Sequence, residues 1–335
     1  MKEDVLGAVH DACWHTHRQR KESVMIKYYR TMDHQINEIS EPMEGTWISL
    51  IHPTASELVQ IAKEYKIDLD HLKAPLDEEE RSRIEVEDDY TLIIVDIPVT
   101  EERKEKEYFL TIPCGIILGQ DVIITICLME TPVLSDFCDG RVRNFWTFKR
   151  TRFILQILYR NASLYLQYLR SIDKKSDEVE KQLHISTKNQ ELIELLELEK
   201  SLVYFSTSLR GNELVLEKLL KIERIKQYPE DEELLDDVII ENKQAIEMAD
   251  IYSNILSGTM DAYASVISNN LNIVMKVLAV ITIVMSIPTM IASFWGMNVP
   301  VPLARSPYGF VILVISSLIL TVIGGIILGK KKSIF

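Results

Sequence analysis

The sequence is short of chain breakers where a loop-rich domain would need them. Between Asn144 and Tyr228 there is one glycine, Gly211, and no proline. That excludes a string of short turns and leaves room for long helices. Charge is missing from two runs near the C-terminus. Residues 308–329 hold no charged side chain and residues 273–294 hold only Lys276. At a rise of about 1.5 Å per residue each run reaches roughly 33 Å, enough to cross a hydrocarbon core of about 30 Å. The competing reading, two buried core helices, fits poorly with runs separated only by residues 295–307.

Cysteine is scarce too. Cys13, Cys114, Cys127 and Cys138 show no C-x-x-C spacing, which suits reduced, partly buried thiols in a cytoplasmic domain. No P-loop, H-E-x-x-H or G-x-S-x-G motif is present, so the sequence offers no enzyme. Net positive charge is lacking: 37 Lys and Arg stand against 50 Asp and Glu, a net charge of −13. This argues against a nucleic-acid partner and for attraction of divalent cations. Residues 1–24 lack the apolar stretch of a secretory signal. They read as a disordered leader, or as an upstream extension with the working start at Met25; the alternative is a metal site where His10, Cys13, His15 and His17 crowd together.

What is present divides the chain. Residues 25–145 read as a cytoplasmic α/β domain. Thr46–His52 alternates like a strand and ends at Pro53. Thr54, with Glu57 three residues on, predicts a capping box and a helix to about Lys66. Asp88–Val99 holds a β run. Tyr108–Leu118 and Val122–Leu128 flank Gly119-Gln120-Asp121, a hairpin signal. Residues 146–272 read as a long-helix stalk, with a break near 185–188. Pro229 and the acidic stretch Glu230–Glu233 mark a helix N-terminus. The next breaker is Pro288, where a kink is expected, so one helix is predicted from about 230 to 294. The remaining divisions are a pore-lining transmembrane helix (273–294), an external loop (295–307), a second transmembrane helix (308–329) and a cytoplasmic basic tail (330–335). Arg305 is the loop's only basic residue while Lys330, Lys331 and Lys332 follow the second span. The positive-inside rule therefore places both termini in the cytoplasm, in a multi-pass protein of the cell membrane.

Within the first span the hydroxyl residues share one line. Asp261, Ser265, Ser268, Asn272, Met275, Ala279, Thr282, Ser286, Thr289 and Ser293 recur at 4-3 spacing, a heptad seam. A coiled coil normally puts apolar groups on its seam. Here the seam is polar or small and the flanks are apolar, as expected if several copies enclose a narrow aqueous path. The alternative is helix packing through small residues, as Gly325-x-x-x-Gly329 offers in the second span. In the aqueous reading Asp261 concentrates cations at the cytoplasmic end, Asn272 offers neutral oxygen at the membrane edge, and Met275 with Leu278 forms an apolar constriction. Lys276 can snorkel to the interface. Mg2+ sheds water reluctantly, and amide oxygens can hydrogen-bond its water shell without stripping it. No histidine or cysteine lies in the spans, so soft-metal ligation inside the pore is not expected.

Gly296-Met297-Asn298, opening a short loop between two final spans, resembles the hallmark of the CorA family of divalent-cation transporters. The stretches from Asp261 through Asn270 and Met275 to Leu278 are also similar, and the resemblance covers roughly residues 45–335. It implies an α+β cytoplasmic domain with long stalk helices and two C-terminal transmembrane helices, assembled as a funnel-shaped homopentamer in lipid. It further implies passive uptake of hydrated Mg2+, with Co2+ or Ni2+ tolerated. Asn298 would bind the ion, with Gly296 and Met297 forming the rest of the selectivity motif. Thr289 falls at a pore-facing family position, and Lys330–Lys332 would form a basic collar. Regulatory Mg2+ between subunits would be held by Asp236 or Asp237 with Asp88 or Asp89. The loop departs from the family pattern in having no carboxylate after Asn298. Two rivals stand beside this reading: a zinc transporter of the same superfamily and a non-conducting membrane-anchored coiled-coil scaffold. His52 and His71 stand singly at element edges and read as surface or satisfied core residues.

Overall fold

A computed structural model of the protein describes residues 26–32, 35–103, 106–142, 144–185, 189–222, 228–297 and 308–330. The leader 1–24, Asn298 with the loop to residue 307, and Lys331 and Lys332 lie outside the described residues. The chain forms two compact units, Met1–Leu256 and Ser257–Phe335.

In the first unit the chain lays down β1 (Ile26–Met32), β2 (Gln35–Ile39), β3 (Thr46–Ile51), α1 (Ala55–Tyr65), α2 (Leu69–Lys73), β4 (Arg83–Val86), β5 (Thr91–Arg103), β6 (Lys106–Leu118) and β7 (Val122–Cys127). The helices α3 (Pro132–Cys138), α4 (Arg150–Ile185), α5 (Asn189–Leu219) and the start of α6 (Pro229–Trp295) follow. The strands make one sheet in the order β2-β1-β3-β7-β6-β5-β4. All neighbours run antiparallel except β3 and β7, which pair in parallel from Thr46↔Val122 to Ile51↔Cys127.

The central strands are covered on both faces, which explains their unbroken apolar runs. Ile93, Val95, Ile116 and Ile123 pack on one side with Trp47, Phe137 and Phe153, and with residues of α4, α5 and α6. Ile48, Leu50, Leu92, Ile94 and Ile124 pack on the other, against Leu58 and Ile61 of α1 and Leu72 of α2. Close approach fixes one residue: a Cβ on Gly115 would lie 2.2 Å from the Pro75 ring. Two buried polar groups are tied to partners within the unit. The Trp47 indole donates to Thr125 Oγ1 at 2.9 Å, and Asp136 is held by Arg141 and Arg160.

Local signals act as expected at α1. The Thr54 hydroxyl accepts from the Glu57 amide while Glu57 accepts from the Thr54 amide, and Lys66 closes the helix in the left-handed region. Gly119 donates to the Val122 carbonyl at 3.0 Å in the hairpin between β6 and β7. The β run within Asp88–Val99 forms and runs longer. Asp88 to Tyr90 form a turn, closed by the Glu87 amide on the Tyr90 carbonyl at 2.9 Å, and β5 extends to Arg103 because pairing with β6 persists to Arg103↔Lys106. The strands β1, β2 and β4 were not singled out by pattern; they are short or lie toward the sheet's edges, where polar residues are tolerated.

The second unit holds α6 from Ser257 onward and α7 (Gly309–Lys330). Pro288 lies inside α6.

Candidate functional site

Both helices of the second unit are long and apolar enough to span a membrane, and almost none of their most apolar stretches is buried within the chain. Ile281, Met285, Met290 and Phe294 of α6 and Phe310, Leu318 and Ile327 of α7 all point outward. In water such a surface would aggregate; in hydrocarbon it is the solvated state.

The face of α6 turned toward its neighbour is read from the half-buried positions. These include Val277, Val280, Val284, Ile287 and Ile291, again at heptad spacing, with Pro288 and Trp295 beside them. On α7 the half-buried positions are Leu313, Ser317, Thr321, Gly324, Gly325 and Leu328. The helices touch where Ile287 meets Gly324: a Cβ there would stand 2.8 Å from Ile287 Cδ1. Small residues let the backbones approach.

The polar seam lies elsewhere. Asp261, Ser265, Ser268, Asn272, Met275, Ala279, Thr282, Ser286, Thr289 and Ser293 are all exposed, as is Leu278 beside the seam. Each seam position from Ala279 to Ser293 follows a half-buried one by two residues, a rotation of about 200° on an α-helix. Within the chain, then, α7 covers the face opposite the seam. The hydroxyls are also oriented. Thr282 Oγ1 donates to the Leu278 carbonyl at 2.9 Å, Ser286 Oγ to Ile283 at 2.7 Å and Thr289 Oγ1 to Ser286 at 2.8 Å. Their protons are committed to the helix, so their lone pairs face outward as acceptors. A row of outward acceptors suits water bound to a cation.

At the end of α6 Gly296 donates to the Ala292 carbonyl at 3.0 Å and Met297 is exposed. Lys330 ends α7. In the first unit Asp88 and Asp89 sit on the turn before β5, where Asp89 accepts from Gln120 at 3.2 Å. Asp236 and Asp237 lie in the opening turns of α6, exposed between buried Leu235 and Val238. The fold does not gather three of these four carboxylates into one cluster. Nearby Asp231 is buried, and burial raises its carboxyl above the usual range despite Arg152 at 3.8 Å.

Two constellations escaped the sequence reading. The Asp96 carboxyl sits inside β5 among helices. Its carbonyl accepts from Asn161, Tyr165 and Asn212, its amide donates to Asn212, and burial pushes the carboxyl's pKa up, with hydrogen bonds from Ser208 and Ser82 opposing. Its only sequence trace is one acid in an apolar run. His71 is not solitary either: Glu85 and Glu87 converge on it. No local spacing links those residues.

Known proteins place this architecture. The cobalt/magnesium transport protein CorA of Methanocaldococcus jannaschii is 29% identical over 287 residues, covering 82% of this chain and 87% of that protein. The complete structure of the CorA magnesium transporter from the same organism superposes with a TM-score of 0.78 at 24% identity, covering 93% of this chain and 99% of that one. The ZntB cytoplasmic domain from Vibrio parahaemolyticus shares the fold at a TM-score of 0.58 and 11% identity, over 74% of this chain and 99% of that one. Residues 43–331 match the family described as CorA-like Mg2+ transporter protein, covering the sheet domain from β3 onward and the two apolar helices, and the chain therefore belongs to that family.

Proposed function

We propose that this protein is a divalent-cation transporter subunit that passes hydrated Mg2+ down its gradient along a path lined by the α6 seam. One observation carries the reading. The seam is the polar face of α6, it is exposed along its length, and α7 occupies the opposite face. Identical copies around an axis, five by family resemblance, would bring these faces together. Asp261 would then draw cations at the cytoplasmic end, Asn272 would meet the water shell, and Met275 with Leu278 would form the dry constriction. Gly296, Met297 and Asn298 would select the ion at the outer mouth. Both termini would be cytoplasmic in a cell-membrane protein, with Lys330–Lys332 as a basic collar. Mg2+ held between subunits by Asp88 or Asp89 and Asp236 or Asp237 would keep the ring closed, and its loss would restore carboxylate repulsion and open it.

A zinc path is the second reading, supported by the shared fold of the ZntB domain. Retention of Met297 and the absence of histidine and cysteine from both spans favour magnesium. The deciding experiment is uptake into proteoliposomes loaded with Mg2+- or Zn2+-sensitive dye. Wild type should admit Mg2+ in preference to Zn2+, and Asn298→Ala should fall to the leak of empty vesicles. Preferential Zn2+ entry would replace the magnesium reading, and undiminished flux in Asn298→Ala would remove the selectivity assignment. Asp89→Ala combined with Asp237→Ala should abolish inhibition by internal Mg2+; unchanged inhibition would discard those regulatory positions.

A further inference from the structure

His71 is the middle residue of α2, and its side chain is 18% exposed. Its Nε2 stands 3.3 Å from Glu85 Oε2, across on β4. Glu87 completes the group, with one ligand atom from each residue within 4.8 Å of the others. Among the described residues no other three His, Cys, Asp or Glu side chains converge in this way.

Buried Tyr90 fixes two of the three residues. Its hydroxyl is 2.7 Å from His71 Nδ1 and accepts from the Asp68 amide, the N-cap of α2, at 3.2 Å. Its carbonyl accepts from the Glu87 amide at 2.9 Å, closing the turn. A proton on Nδ1, given to the tyrosine oxygen, leaves the Nε2 lone pair facing the two carboxylates, the support that metal-bound imidazoles usually receive. Glu85 itself is steadied through its other oxygen by Arg83.

The spacing suits a small cation. Metal bonds of about 2.0–2.1 Å in a tetrahedron set ligand atoms roughly 3.3–3.4 Å apart. His71 and Glu85 already hold that separation, and exposed Glu87 needs only a rotamer adjustment to join them. A histidine–glutamate ion pair would account for Glu85 but gives Glu87 no reason to converge. Two carboxylates against the one guanidinium of Arg83 leave room for positive charge. An imidazole among carboxylates suits zinc, cobalt or nickel, whereas Mg2+ demands near-octahedral oxygen ligands.

We propose that His71, Glu85 and Glu87 form a three-ligand site for a transition-metal dication, Zn2+, Co2+ or Ni2+, completed by water. The site lies within the first unit and stands whether or not the seam conducts. A bound ion ties α2 to the turn carrying Asp88 and Asp89, so its occupancy reaches the carboxylates of the suggested Mg2+ control.

The test is anomalous diffraction from crystals of the full chain, stripped with chelator and soaked in Zn2+, with data on both sides of the zinc edge. The expected result is a peak among the three side chains that survives millimolar Mg2+. His71→Ala should remove it and Glu87→Gln should reduce it; Glu87 is exposed, so that variant keeps the fold if the first does not. In solution Tyr90→Phe should weaken Zn2+ binding about 10- to 100-fold. Zinc bound only elsewhere on the chain, a peak that persists in His71→Ala, or equal displacement by Mg2+ would overturn the site.

Discussion

Asn242 and Asn272 lie on the same helix and meet opposite fates. Asn242 is 3% exposed, and its amide donates to the Leu209 carbonyl at 3.1 Å. Asn272 is exposed. Before Leu256, α6 buries Asp231, Leu235, Val238, Asn242, Ala245 and Ala249 at 4-3 spacing. Beyond it, apolar side chains are exposed almost all round and the polar line belongs to the face that α7 leaves uncovered. One seven-residue rhythm thus serves two solvents. In water the buried line carries the apolar groups and each polar member needs a partner inside the chain. In hydrocarbon apolar surface needs no cover, and the polar line must find water or another copy.

The comparison breaks most visibly at Thr282. Thr282→Lys sets a cation in the seam and should reduce Mg2+ uptake to background, while Thr282→Ser should retain it, both compared at equal protein yield in vesicles. Full uptake by the lysine variant would mean the seam is not the path. Leu235→Ala, on the buried line, should destabilise the first unit by about 2–5 kcal/mol in thermal or denaturant melts. Thr282→Ala should change stability by no more than about 0.5 kcal/mol; equal losses would erase the distinction between the two faces. Gly324→Leu drives a side chain into Ile287 and should cost about 1–3 kcal/mol in detergent, recovered partly by Ile287→Ala. No loss would mean that α7 does not hold the face opposite the seam.

The smallest effect tests how the first unit tolerates a buried acid. Burial raises the Asp96 pKa, so the group's contribution to stability is full below its ordinary value of 3.8 and is lost as pH climbs through the raised value. Wild type should therefore lose stability over that window, and Asp96→Asn should flatten that part of the melting-temperature profile. Identical profiles would mean that the carboxyl is solvated.

Much of this was legible from residues near one another in sequence. The capping box at Thr54, the hairpin at Gly119 and the helix from Pro229 to Trp295 rest on contacts within a few positions. The seam was legible because hydroxyls recurring every three or four residues share a helix face whatever surrounds it. Asn298, the residue on which the family resemblance leaned most, lies outside the described residues, so its role stands as a proposal. The paired strands β3 and β7, parallel partners more than seventy positions apart (Thr46↔Val122), left no such trace. Nor did the buried carboxyl of Asp96 or the partners of His71.

By itself the sequence determined which long segments are helical, which two can live in a bilayer, and which line along α6 is polar, because these follow from backbone periodicity and side-chain hydration; the short helices α2 and α3 left no such pattern. Only the tertiary structure decided that α7 takes the face away from that line, and that Tyr90 holds His71 and the Glu87 turn beside Glu85 on β4. Those outcomes depend on side chains from separate elements competing for the same space, which no local pattern encodes.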